Sequence, residues 1–220
     1  TKINVNYAPT DTDNCNSAAQ KQYTATVTVA TPTVTLSEKT GLTYNGSAQA
    51  ANTATVSPNS SPTITYTYYT DSSCSTQTGT TQATGLAASA GAAPKAAGTW
   101  YVKATAAAVT NKTAAASSDC VAHTIAKYTP SIALSATSGS VAWNSTATFN
   151  ATPTTISSCQ GTLTAASAST TYVTITGGAS NSNVTNGTAK TITWKGVLKT
   201  TGTKINVNYA PTDTDNCNSA

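Results

Sequence analysis

The sequence has no arginine and very few charged residues. Charged side chains make up 8% of the 220 residues, against about a quarter in a typical soluble domain. All 11 basic residues are lysines, spread without a cluster from Lys2 to Lys204. Arginine is the usual residue for bidentate recognition of phosphates and bases, so its absence argues against nucleic acid as a partner. The formal net charge of +4 indicates solubility rather than an oppositely charged ligand.

Residues for acid–base and metal chemistry are equally scarce. The only histidine, His123, lies among apolar residues of a strand-like segment, which indicates a structural role. No C-x-x-C pair is present that would favour zinc. Paired carboxylates, which glycosidases use, are few and mostly in turn-like contexts. We therefore expect a protein that is not an enzyme and has no cofactor.

No apolar run approaches the roughly 20 residues that a membrane-spanning helix needs. We therefore expect no membrane contact by this segment. No secretory signal sequence is present either. Because the chain opens inside a strand-like stretch, we expect any such signal to lie upstream.

Threonine, by contrast, is abundant and occupies 49 of the 220 positions. Low charge with many serines and threonines is also typical of disordered stalks. Here, however, threonine alternates with β-branched and aromatic residues, as in residues 24–29 (TATVTV), 63–68 (TITYTY) and 191–194 (TITW). This period of two predicts half-buried strands, and no helical periodicity competes with it. The predicted fold class is all-β, with tandem immunoglobulin-like β-sandwich domains in a linear array.

One long segment is duplicated: residues 1–18 (TKINVNYAPTDTDNCNSA) reappear letter for letter as residues 203–220. The period is therefore 202 residues, 203 minus 1. This is too long for a solenoid repeat of about 20 to 50 residues but fits two sandwiches of about 100 residues each. The expected domains are residues 1–30, the C-terminal strands of a preceding repeat, then residues 31–127, and finally residues 128–220, which lack a last strand.

The duplication has two interpretations. In the first, the sequence is a window on a continuous polypeptide of many repeats, so that the residues after Ala18 predict those after Ala220. In the second, separate subunits exchange this strand, as in donor-strand complementation. We favour the first, so the expected partners are neighbouring copies of the same repeat, with lateral self-association between arrays as a further expectation.

The five cysteines become an even set once the duplication is considered. Cys15 and Cys217 occupy the same position of the repeat, so one period holds four cysteines. The domain boundary then predicts Cys74 with Cys120 and Cys159 with Cys217, leaving Cys15 unpaired in this sequence. Each bridge closes a loop of roughly 45 to 60 residues, worth on the order of 4 kcal/mol by loop-closure entropy. Disulfides indicate an extracellular location, and free buried thiols are the alternative.

Three blocks of the first domain occur in an order that resembles a known family. They are residues 42–49 (LTYNGSAQ), 62–69 (PTITYTYY) and 97–104 (AGTWYVKA). Together they resemble the MBG-type immunoglobulin-like repeats of bacterial surface proteins. The resemblance implies a sandwich module in a large cell-surface protein and carries over no catalytic residues. The second domain resembles a generic bacterial immunoglobulin-like domain.

Two further kinds of site have candidate residues in the sequence. Asp11, Asp13 and Asn14 alternate oxygen ligands and are a calcium candidate, although an ordinary polar turn is the favoured interpretation. Acceptor patterns for N-glycosylation are frequent, as composition alone predicts in a chain rich in serine, threonine and asparagine. The candidate acceptors are Asn45, Asn111, Asn144, Asn150, Asn183 and Asn186.

Two functions from different classes follow. The first is structural, a repeat unit of an extracellular filament or a cell-surface stalk. The alternative is an adhesin that binds carbohydrate or a host surface protein through exposed aromatic residues such as Tyr68, Tyr69, Tyr101 and Tyr172. We favour the structural function, because alternating aromatic residues are what a sandwich core needs. One solvent-exposed patch of these rings would favour the adhesin.

Overall fold

The computed structural model describes residues 1–58, 62–83, 93–114 and 119–220. In these ranges the chain forms sixteen strands and a single turn of 3₁₀ helix at Ser157–Cys159. The prediction of an all-β fold is confirmed. Within the same ranges, no helix has the length and apolar character needed to cross a membrane.

An antiparallel hairpin precedes the first sandwich. Its strands are β1 (Lys2–Tyr7) and β2 (Ala18–Thr24), and we call them the N-terminal hairpin. Every residue of both strands is exposed. The prediction of a strand over residues 24–29 is wrong, since β2 ends at Thr24. The reason is that β1 begins at Lys2, so residues beyond Ala25 have no strand beside them in the described part of the chain.

The first sandwich contains seven strands in two sheets. One sheet pairs β3 (Thr33–Thr35) with β5 (Thr55–Ser57); the other has the order β4 (Lys39–Thr43), β9 (Val121–Ala126), β8 (Gly98–Ala106), β6 (Ile64–Tyr69) and β7 (Gln77–Ala83). Strands β4 and β9 run parallel. Alternate residues of β6 are buried, as the period of two predicts. The core is filled from both sheets by Val34, Val56, Ile64, Tyr66, Tyr68, Val102 and Ala104.

The block at residues 42–49 contains the end of a strand and a turn. Strand β4 ends at Thr43 because a turn follows it. Gly46 has a φ of +80°, a conformation that glycine adopts without steric cost. The side-chain oxygen of Asn45 accepts a hydrogen bond of 2.9 Å from the Ser47 amide, which is an Asx turn.

His123 on β9 is a core residue, in agreement with its predicted structural role. It has no solvent exposure, and its ring meets that of Tyr68 edge-on with centroids 5.8 Å apart. Neither ring nitrogen has a hydrogen-bond partner among the described residues. Burial lowers the pKa of His123 below its ordinary value of 6.5 despite an opposing effect of the nearby Gln49 backbone, and the charge of Lys39 lowers it slightly further.

We expect the first sandwich to lose stability as the pH falls below about 6.5, the pKa of histidine in an unfolded chain. The unfolded chain takes up the proton first because the folded pKa is lower. The stabilising contribution of neutral His123 is therefore complete above pH 6.5 and is lost as the pH falls towards the folded pKa. Urea unfolding at pH 7.5 and pH 5 measures the difference. His123→Leu should reduce it, and an unchanged difference in this variant would contradict the prediction.

The second sandwich also contains seven strands in two sheets. One sheet has the order β10 (Ser131–Leu134), β11 (Thr146–Thr154), β15 (Lys190–Gly196) and β13 (Val173–Gly177); the other has the order β14 (Ser180–Val184), β12 (Gly161–Ser167) and β16 (Ile205–Pro211). The two sheets share one core that includes Ala151, Leu163, Val184, Ile192 and Tyr209. Strands β12 and β16 approach so closely that a Cβ on Gly161 would lie 2.1 Å from the Ala210 carbonyl oxygen.

A turn immediately precedes strand β11 of this sandwich. Strand β11 starts at Thr146 because Asn144, with a φ of 61°, forms a turn immediately before it. The Ser145 amide donates to the Ala142 carbonyl at 3.1 Å and closes this turn. The strands of each sandwich lie inside the predicted bounds 31–127 and 128–220, and the bounds themselves stay predictions.

Candidate functional site

Each sandwich contains one disulfide. The bridges join Cys74 to Cys120 and Cys159 to Cys217, the pairs that the repeat favours. They span 46 and 58 residues of sequence. Cys15 is a free, exposed thiol. Both bridges therefore connect segments within a sandwich, and neither crosses between the two.

The first disulfide lies in a turn that Asp71 organises. The Asp71 carboxylate accepts hydrogen bonds from the backbone amides of Ser73, Ser75 and Thr76, the last at 2.6 Å, and from the Ser73 hydroxyl. The hydroxyl of Ser73, followed by these amides, lowers the pKa of Asp71 well below its ordinary range. Within this turn Cys74 adopts a φ of 53°. Asp71 thus has a structural role at the end of the sandwich.

A hydrophobic cluster joins the two sandwiches, and we call it the junction. From the first sandwich it buries Tyr44 and Ile125, and from the second it buries Cys159 and Cys217. Partly buried side chains pack around these four, namely Leu42, Ala97, Trp100, Tyr128 and Ile156. The second disulfide is therefore part of the contact between the sandwiches as well as a bridge within one of them.

Hydrogen bonds across the junction come from one loop, residues 213–218. The side-chain oxygen of Asn216 accepts a hydrogen bond of 2.7 Å from the Ala97 amide. Its backbone carbonyl accepts another, of 3.0 Å, from the Tyr128 amide. The ammonium group of Lys127 donates to the Thr214 carbonyl at 2.8 Å. This loop thus contacts the first sandwich and the connection that follows it.

The same sequence, residues 11–16, occurs in the N-terminal hairpin without these contacts. The local turn is the same in both copies. Asp11 accepts from the amide of Asn14 at 3.1 Å, and Asp213 accepts from that of Asn216 at 3.2 Å. However, residues 11–16 are all exposed, whereas Cys217 is buried. The sequence of this loop therefore determines the turn that it forms, and contact with the neighbouring sandwich determines whether the loop is buried.

We expect Asn216→Ala to lower the free energy of unfolding by about 1 to 3 kcal/mol, because it leaves the partly buried Ala97 amide without its acceptor. Asn14→Ala is the matched control, since it removes the same residue from the exposed copy of the loop. It should change stability by less than about 0.5 kcal/mol. Chemical denaturation measures both variants, and equal effects would show that Asn216 acts only within its own turn.

The calcium candidate is an Asx turn in this structure. One carboxylate oxygen of Asp11 accepts from the amides of Asp13 and Asn14, and the other accepts from the Asn14 side chain at 3.0 Å. The Asn14 side-chain hydrogen bond is the main cause of a lowered pKa at Asp11. No group of three or more His, Cys, Asp or Glu side chains is assembled for a metal ion within the described ranges. We do not propose calcium binding.

The six candidate glycosylation acceptors are all exposed. Two of them already use the side-chain oxygen. That of Asn150 accepts from the Thr191 hydroxyl at 2.9 Å, and that of Asn186 accepts from the Thr155 amide at 3.0 Å. Glycosylation at any of these positions stays a prediction.

The four aromatic residues predicted for an adhesive surface do not form one patch. The expectation that Tyr68 is exposed is wrong, because it points into the core and accepts a hydrogen bond from the Ala51 amide at 3.1 Å. Tyr69 and Tyr101 are partly exposed cross-strand neighbours on the outer face of the first sandwich. Tyr172 lies in the second sandwich. This arrangement gives the adhesin no specific support.

Comparison with known proteins gives structural likenesses only. No family model matches the chain, and no curated protein does. It is similar to surface layer protein SbsC, domains 1–6, at 16% identity and a TM-score of 0.34, over 97% of this chain and 30% of that one. It is also similar to the S-layer protein rSbsC(31–844), at 18% identity and a TM-score of 0.33, over 84% of this chain and 27% of that one.

A third likeness is to the FN1–FN3 domains of chicken CNTN1, at 12% identity and a TM-score of 0.29. It covers 93% of this chain and 67% of that one. The chain thus spans less than a third of the two surface layer proteins. TM-scores and identities this low do not distinguish one protein built of β-sandwiches from another, so these similarities assign no function.

Proposed function

We propose that this chain is a structural repeat unit of an extracellular filament or cell-surface stalk, and that it is not an enzyme. Its partners are further copies of the same repeat. Sandwich modules joined end to end give such a fibre its length, and packed junctions between modules resist bending. The MBG-type resemblance of the first sandwich belongs to the same proposal.

The observation that carries the proposal is the position of the duplicated segment. Its second copy supplies β16 to the core of the second sandwich and the loop at residues 213–218 to the junction. A segment that joins modules in this way recurs with a fixed period in an array. The two disulfides support a location outside the reducing cytosol.

Electron microscopy of the native parent protein on its cells tests the proposal. Two sandwiches of about 40 Å each, estimated from strand length plus end loops, predict an axial repeat of roughly 80 Å. Fibres with this repeat would establish the chain as their building unit. Cell-anchored protein without any axial repeat would contradict the filament and leave a spacer that presents another domain.

A further inference from the structure

The second sandwich has an open groove of about 630 Å³ between its two sheets. One wall is the end of β10 with the segment after it, Leu134 and residues 136–140, and the other is the start of β16 with the residues before it, 201–206. The floor is apolar and includes Phe149, Val173 and Trp194. Strand β16 is also an edge strand of its sheet. Within the described residues, this side of the sandwich therefore has a strand edge that is unpaired except at Tyr209, and an exposed part of the core.

Exposed apolar side chains are found along this groove and in one other region of the chain. Four of the large hydrophobic residues that are exposed in the described ranges lie along this groove and its continuation: Leu134, Trp143, Tyr172 and Leu198. The remaining six lie in residues 3–29: Ile3, Val5, Tyr7, Tyr23, Val27 and Val29. Val27 is 93% exposed. Two separate apolar surfaces are thus uncovered, one concave and one on an extended segment.

The internal duplication fixes how the two surfaces fit together. In the N-terminal hairpin, Tyr7 on β1 pairs with Ala18, the first residue of β2. In the second sandwich Tyr209, the equivalent of Tyr7, exchanges two backbone hydrogen bonds of 2.6 and 2.9 Å with Ala220, the equivalent of Ala18. The free edge of β16 therefore already holds the first residue of a strand like β2, in the same register.

Continuing that register brings the rest of the segment to the groove. Tyr23 pairs with Ile3 in the hairpin, so a copy of Tyr23 pairs with Ile205, whose side chain packs against the core. Because side chains alternate along a strand, copies of Val27 and Val29 face the same side as Tyr23. They would lie opposite residues 199–201, beside the groove.

We propose that this groove binds a strand with the sequence of residues 18–29, supplied by the adjacent copy of the repeat. The strand extends the β14-β12-β16 sheet along the free edge of β16 and covers the apolar floor with Tyr23, Val27 and Val29. This pairing also explains why residues 25–29 have the alternating sequence of a strand, although they form no strand after the N-terminal hairpin. The inference rests on the proposed repeat unit only in taking the sequence to occur in more than one copy.

The test lengthens the full chain by a second copy of residues 19–30 after Ala220. Its melting temperature is compared with that of a control extension in which the copies of Val27 and Val29 are replaced by aspartate. A docked strand raises the melting temperature of the second sandwich, whereas the control does not, because charged residues cannot cover an apolar floor. Equal melting temperatures for the two extended chains would overturn the proposal.

A second measurement uses a fluorescein-labelled peptide of residues 18–30. We expect saturable binding to the unextended chain, weakened at least tenfold in the Val27→Asp/Val29→Asp peptide because burial of the two valines is lost. The extended chain should not bind it, since its groove is occupied. Equal binding to both chains would contradict the assigned site. These results do not depend on fibres, so a missing axial repeat on cells would leave them unchanged.

Discussion

We expect Tyr209→Ala to lower the free energy of unfolding of the second sandwich by about 3 to 5 kcal/mol, the range for truncating a buried aromatic residue. Tyr209 has no exposed surface, and burial raises the pKa of its phenol. Its hydroxyl lies 2.7 Å from the Cys159 carbonyl oxygen and 3.2 Å from that of Val184. The substitution therefore leaves both a cavity and two buried acceptors.

The duplication supplies an internal control for this prediction. Tyr7 has the same sequence neighbours, but it is 64% exposed, so Tyr7→Ala should change stability by less than about 0.5 kcal/mol. Tyr209→Phe keeps the ring and should cost about 1 to 3 kcal/mol through the unsatisfied carbonyls. Urea denaturation followed by tryptophan fluorescence measures all three variants. Equal losses at Tyr7 and Tyr209 would contradict the placement of β16 in the core.

Removal of the second disulfide should have the next largest effect. Replacing both Cys159 and Cys217 by alanine opens a loop of 58 residues, for which loop-closure entropy gives a loss of about 4 kcal/mol. The pair is also buried in the junction. We therefore expect the two sandwiches to unfold less cooperatively in this variant, which differential scanning calorimetry would record as a separation of two transitions.

Replacing Cys74 and Cys120 by alanine is the matched comparison. Its loop of 46 residues predicts nearly the same entropic loss, about 4 kcal/mol, but both cysteines are partly exposed and lie outside the junction. This variant should destabilise the first sandwich without uncoupling the second. In the unsubstituted chain, we expect dithiothreitol to reduce the Cys74–Cys120 bridge before the Cys159–Cys217 bridge. Alkylation followed by mass spectrometry would detect this order. Preferential reduction of the buried bridge would contradict the prediction.

The strands with alternating side chains could be predicted from the sequence because one face of each is buried. Strand β6 and strand β15 both lie where threonine alternates with large apolar residues. Strand β14, SNSNV, carries no such signal. It is held at the edge of its sheet by backbone pairing with β12, which is nearly independent of side-chain type. Residues 25–29 show the opposite case, a strand pattern without a neighbouring strand.

The junction could not be predicted, because its partners are distant in sequence. Asn216 and the Ala97 amide are 119 residues apart, and neither lies in a pattern that indicates the other. The cysteine pairs, in contrast, follow from counting within one period. The two copies of the loop also show that identical residues are buried or exposed according to the neighbouring sandwich, which no local sequence pattern records.

The parallel pairing of β4 with β9 determines how the first sandwich responds to tension. These strands lie near its two ends and pair from Lys39 opposite His123 to Thr43 opposite Ala126. When the chain is pulled from both ends and the short β3–β5 pair has separated, the two strands must slide past each other lengthwise. Their hydrogen bonds are then loaded in shear and break together instead of one at a time. We therefore expect this module to bear a higher force before it extends than a module whose terminal strands separate one hydrogen bond at a time.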